Sequence, residues 1–159
     1  MPSVSSPVDL RKPPAPLLIR LIAVAVAAPL LVRAGLPRLQ RWLDPGPAAG
    51  ADGPRGASDT EAVTEQYGRW ANGIIRRGKP VVRPGCLTRG VTLYYGLRRE
   101  GLDVALCFGV GSPEGEMAGH CWLEMDGHPL LEGTDPRIAF TEVVRVSGSG
   151  VTPREGSPG

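Results

Sequence analysis

Three residues far apart in the chain carry the side chains of a thiol-based acyl-transfer reaction. Cys86 follows Pro84-Gly85 and opens a segment with helical periodicity. His120 stands on an expected strand, with Trp122 and Glu124 on its face. Glu132 follows on the next expected strand. A helix start favours an anion, because its first N–H groups are unpaired and the peptide dipoles point positive there. A thiolate at Cys86 gains from both. A neutral imidazole can take the thiol proton and return it to a leaving amine. A carboxylate on the far ring nitrogen would hold the tautomer.

Each assignment has a competitor. A lone Cys is more often core packing than a nucleophile. His128, the second of two histidines, falls at an expected hairpin tip, where it would be wet and loosely held. Cys121 lies on the strand face opposite His120, and Cys107 lies on an apolar strand, so both read as packing. A metal centre built from Cys86, Cys107, His120, Cys121 and His128 lacks any C-x-x-C pair, and adjacent strand residues 120 and 121 point apart. Neither metal nor cofactor is expected. The backbone N–H of Cys86 is a natural oxyanion donor. Trp122 is a candidate substrate contact.

The orienting acid depends on strand register. Asp126 lies six residues along the strand from His120, about 20 Å away, and is too far. A three-residue turn, Met125-Asp126-Gly127, pairs 124 with 128 and sets His120 opposite Glu132 on one face. A two-residue turn pairs 120 with 133 and turns Glu132 away. The three-residue turn is the expectation, with Glu132 as orienter and Asp135 as the alternative.

The elements that must place these groups follow from pattern. Residues 1–16 are rich in Ser, Pro and charge and read as disordered. Residues 17–44 form an apolar helical segment, kinked at Pro29 and Pro37. Its clean apolar run, Leu21–Val32, is 12 residues, short of the ~20 a membrane span needs. Docking on protein is therefore favoured over membrane association. Residues 45–57 are a Pro/Gly linker.

The domain proper spans 58–146. Ser58 and Glu61 suggest a capping box. Val63, Tyr67, Trp70 and Ile74 mark one helical face, and Gly78 is expected to leave that helix at positive φ. A second helix runs from Cys86 to about Glu100, with Leu87, Val91, Tyr94 and Leu97 inward and Arg89, Arg98 and Arg99 outward. Residues 103–110 form a strand apolar on both faces, hence central. A hairpin over 117–132 and a strand over 138–146 follow. Residues 147–159 read as a mobile tail. Helices first and an antiparallel sheet after give an α+β fold.

Net charge is +2, and no basic stripe with interleaved aromatics suggests nucleic acid. Three cysteines without regular spacing argue against a disulfide framework and for a reducing, cytoplasmic setting.

P-G-C-L-T-R-G-V-T-L-Y-Y-G-L-R-R-E-G followed by G-H-C-W-L-E-M-D-G-H-P-L-L-E-G resembles the transglutaminase-like leader peptidases of lasso-peptide biosynthesis. The similarity covers roughly residues 59–146. It implies a transglutaminase/papain-like core that cuts the leader from a ribosomally made precursor. It also implies a separate winged-helix-like leader-recognition protein and an ATP-dependent cyclase as partners. The family places Asp twelve residues after the histidine; here that position is Glu132. The competing readings are thiol-dependent acyl transfer to an amine and a non-catalytic scaffold.

Overall fold

The computed structural model describes residues 12–44 and 56–154. Expectations for 1–11, 45–55 and 155–159 lie outside the described residues. Four helices precede and cover one face of an antiparallel sheet: α1 (Ala15–Arg33), α2 (Leu36–Leu43), α3 (Ala57–Arg77) and α4 (Cys86–Arg99). Five strands follow: β1 (Val104–Gly111), β2 (Ala118–Met125), β3 (His128–Leu130), β4 (Phe140–Ser147) and β5 (Gly150–Pro153). Their spatial order is β3-β2-β1-β4-β5. The doubly apolar β1 is the central strand, as its sequence requires.

Alternation divides the sheet. Val104, Leu106, Cys121, Leu123 and Val146 face the helices and join Val91, Tyr94, Leu97, Tyr67 and Leu21 in the main core. Ala105, Cys107 and Trp122 point the other way, under Phe140. Helix α4 lies on β2 and β1 and is itself covered by α1 and α3. Close approach is possible because α4 carries Gly90. A Cβ there would stand 2.8 Å from the Cys121 sulfur and 3.1 Å from a Leu106 methyl.

Several local expectations are corrected. Helix α1 runs through Pro29, and the break comes at Gly35 (φ 104), after which Pro37 sits in the first turn of α2. The cap of α3 is Gly56 with no side-chain bond, so Ser58 lies inside the helix. Gly78 has φ −80. Glycine fits there because a Cβ would clash with the Val82 side chain and with the Ile74 carbonyl. Arg98 is not a solvent residue: it pairs with Asp44 and Asp103. The expected tail contains β5, paired to β4 from Val144↔Pro153 to Ser147↔Gly150.

Helix α1 is 19 residues long with a mean hydropathy of 2.3, enough by length and composition to cross a membrane. In the folded chain Leu21, Ala25 and Ala28 of this helix are buried in the core. Ile19, Ile22, Val26 and Leu30 are exposed, and so is Trp42 on α2.

Candidate active site

Cys86 is the first residue of α4. Gly85 before it holds φ 150, a conformation an L side chain adopts with difficulty, so the sharp entry into the helix needs glycine. The Arg89 N–H returns to the Gly85 carbonyl at 3.1 Å and closes the first turn. The Cys86 N–H, being at a helix start, has no helical acceptor. The sulfur is half-buried, packed against the helix-side core.

His120 belongs to β2, opposite Gly109 of β1. Its ring stacks beside Trp122, with centroids 6.0 Å apart and planes at 16°. On another side it meets Phe140 at 5.1 Å. Its Nε2 lies 3.4 Å from Glu132 Oε2. With Nε2–H donated to the carboxylate, the lone pair is on Nδ1, the atom left to act as base.

Glu132 arrives there by a route that the sequence does not show. The hairpin turn has two residues, Asp126 (φ 52) and Gly127 (φ 77), and Met125 pairs with His128. This is the register in which Glu132 was expected to face away. But β3 ends at Leu130, and Leu131 adopts φ 57, a left-handed conformation unfavourable for a non-glycine residue. The ladder stops, the chain turns, and Glu132 comes back to His120. Arg89 holds it there. Its Nη2 donates to the Leu131 carbonyl at 2.9 Å and its Nη1 to Glu132 Oε1 at 3.3 Å. The Leu131 side chain fills the space left by Gly68 of α3, where a Cβ would approach within 2.8 Å.

This geometry explains how residues on opposite sheet faces meet. The β2–β3 ladder covers only residues 123–125 of β2. Glu132 sits beside the part of β2 that β3 leaves open. His120 reaches it from one face and Arg89 of α4 from the other. Cys86 is three residues before Arg89, on the same turn of α4. Cys121 marks the same neighbourhood: burial pushes its thiol up, and the charges of Cys86 and Glu132 add to the effect. No hydrogen bond joins the Cys86 thiol to the His120 ring among the described residues. Such pairs commonly tighten only in the substrate complex.

The other candidates fall elsewhere. Asp135 caps a short 3-10 turn, accepting from the Arg137 N–H at 2.9 Å and from its guanidinium, and it makes no bond to His120. Trp122, a candidate substrate contact, is 1% exposed; it donates to Glu124 Oε1 at 3.0 Å and supports the His120 ring instead. His128 is exposed at the hairpin. Cys107, Glu124 and Glu142 bring potential ligand atoms within 4.8 Å of one another. Arg145 already supplies the cation, bonding both carboxylates. Burial, aided by the Glu124 and Glu142 charges, pushes the Cys107 thiol far up.

Arg89 is the residue that sequence reasoning missed. It read as an outward charge on an amphipathic helix. Its spacing of three from Cys86 was the signal that it shares the thiol's side of the first turn.

A half-buried thiol at the start of a helix that packs on β2, and an imidazole on β2 paired with a carboxylate, are the groups that cysteine proteases and acyltransferases use. The model of the transglutaminase-like superfamily matches residues 23–145, and the chain belongs to that superfamily. No curated protein and no solved structure matches it.

Proposed function

We propose that the protein is a cytoplasmic cysteine peptidase that removes the leader from a ribosomally synthesised lasso-peptide precursor. The observation that carries the peptidase reading is the His120 Nε2–Glu132 Oε2 contact at 3.4 Å, beside the helix that Cys86 opens. Cys86 attacks the scissile carbonyl, and His120 Nδ1 takes the thiol proton and delivers it to the leaving amine. Glu132 holds the ring and offsets its charge while it is protonated. The Cys86 N–H faces the developing oxyanion. Water then releases the leader as a free acid.

The lasso-peptide assignment rests on the motif resemblance around Cys86 and His120. It brings a separate winged-helix-like recognition protein and an ATP-dependent cyclase as partners. The exposed stripe Ile19, Ile22, Val26 and Leu30, with Trp42 nearby, supports an apolar docking surface for the recognition protein.

The test is cleavage of the precursor in the presence of the recognition protein, read by mass spectrometry. A leader ending in a free carboxylate, lost in Cys86→Ala, is the expected result. A leader joined to an amine assigns acyl transfer instead. Cleavage that survives Cys86→Ala overturns the mechanism.

A further inference from the structure

His120 and Phe140 stand on β2 and β4, with β1 between those strands. Two strand spacings separate their backbones by about 9.5 Å. Their rings nevertheless meet, with centroids 5.1 Å apart. Strand β1 permits it. On the sheet face away from the helices β1 carries Ala105 and Cys107, and the next two positions on that face are Gly109 and Gly111. Gly109 pairs with His120 on one side, and Gly111 pairs with Phe140 on the other. Neither has a side chain to stand between the two rings.

The space over these glycines is already taken. A Cβ at Gly109 would lie 2.8 Å from the Trp122 ring and 2.9 Å from the Thr141 carbonyl, and a Cβ at Gly111 would overlap the Ala139 carbonyl. The indole therefore lies over Gly109, and the chain entering β4 at Phe140 lies against Gly111. Trp122 is fixed at its other end by its bond to Glu124, which Arg145 holds. Phe140 packs on the same cluster. A single bond from Nε2 to Glu132 fixes one point of the imidazole. Fixing the plane of the ring needs contacts on its other sides, which Trp122 and Phe140 supply.

We infer that Phe140 is a positioning residue for the His120 imidazole, reaching it across the side-chain-free stretch Gly109–Gly111 and fixing the ring plane from which Nδ1 serves the thiol. The role of Nδ1 rests on the peptidase reading; the seat of the ring rests on β1, β2 and β4 alone.

Phe140→Leu keeps an apolar cover over Trp122 and removes the aromatic ring, while Phe140→Tyr keeps the ring. Both are made in the full-length protein, and a melting curve matching wild type shows that they fold; Phe140→Met replaces Phe140→Leu if the latter melts early. His120 and His128 are the only histidines, so proton NMR shows one ring signal from each. The His120 signal should be displaced by the neighbouring rings and move in Phe140→Leu, while that of exposed His128 stays. Iodoacetamide alkylation of Cys86 at neutral pH reads the thiol–imidazole pair without substrate, with His120→Ala giving the rate of an unassisted thiol. Phe140→Leu is expected to fall about tenfold toward that rate, and Phe140→Tyr to stay with wild type. On the precursor, kcat should fall in proportion with KM unchanged. Wild-type alkylation in a folded Phe140→Leu, an unmoved His120 signal, or an equal loss in Phe140→Tyr overturns the inference. His120→Ala that alkylates like wild type overturns it together with the peptidase reading. If alkylation responds as expected and the precursor is never cut, the seat stands and the peptidase reading falls. If Phe140→Leu cuts the precursor with wild-type kcat, the reverse holds.

Discussion

Leu131 at φ 57 separates the last paired residue of β3 from Glu132, and two bonds from Arg89 hold that bend. The bend brings Glu132 to the ring, whereas a straight continuation of β3 carries it away. Glu132→Ala is therefore expected to lower kcat by roughly a hundredfold to ten-thousandfold, with His120 still present but unoriented. Asp135→Asn should leave kcat unchanged. Arg89→Ala should lower kcat about a hundredfold through misplacement of the carboxylate, with Arg89→Lys recovering only part, since Lys lacks the fork that reaches both oxygens. Steady-state kinetics on the precursor of the proposed function checks all four variants. Thiol reactivity provides a check independent of substrate. Cys107 and Cys121 are buried with their thiols pushed up. Iodoacetamide at neutral pH should alkylate Cys86 first, as peptide mapping would show. Simultaneous labelling of all three would contradict the packing described.

Helix α4 and strand β2 meet through Gly90 and Cys121, four residues along the helix from Cys86. Gly90→Ala inserts a methyl 2.8 Å from the Cys121 sulfur. It should cost about 1–3 kcal/mol of stability and lower activity by lifting the helix start. Gly90→Ala/Cys121→Ala should recover part of both losses, because the two sites share one gap. On the other sheet face, burial pushes the Glu124 carboxyl up, but bonds from Trp122 and Arg145 outweigh it and hold it below the usual range. A depressed folded-state pKa contributes stability above the ordinary carboxylate range and loses it as pH falls through the depressed value. Wild type should thus lose this contribution only in acid. Arg145→Ala leaves a carboxylate that is 2% exposed without its cation, at a cost of about 3–5 kcal/mol near neutral pH. That deficit should shrink as pH falls, because the stranded carboxyl can then take a proton. Denaturant melts at pH 7 and pH 4 would show the sign.

The whole molecule is a helical layer laid on one face of a sheet, with α1 covering α4 on its inner side and presenting Ile19, Ile22, Val26 and Leu30 outward. Removing α1 would strip Leu21, Ala25 and Ala28 from the core, so deletion is a poor test of docking. Substituting Ile19→Gln, Ile22→Gln and Leu30→Gln separates the two roles. Exposed positions move stability by only about 0.5 kcal/mol each. Under the proposed function, a titrated recognition protein should bind the variant much more weakly, and cleavage should fall in parallel. Retained binding would remove α1 from the interface.

The chain's own residues determine what is local or periodic. Pro84-Gly85-Cys86 places a thiol at a helix start because the glycine permits the turn and the following residues have helical spacing. Val104–Val110 is central because it is apolar on both faces, and an α+β layout follows from helices preceding strands. Only the tertiary structure decides how His120 and Glu132 meet. The Asp126-Gly127 turn sets a register that alone would separate them, and Leu131, Arg89 and the open stretch of β2 reverse that outcome. The same holds for β5 and for the inward turn of Arg98. Each depends on groups distant in sequence that compete for one backbone edge or one carboxylate, and nearest-neighbour chemistry contains no trace of that competition.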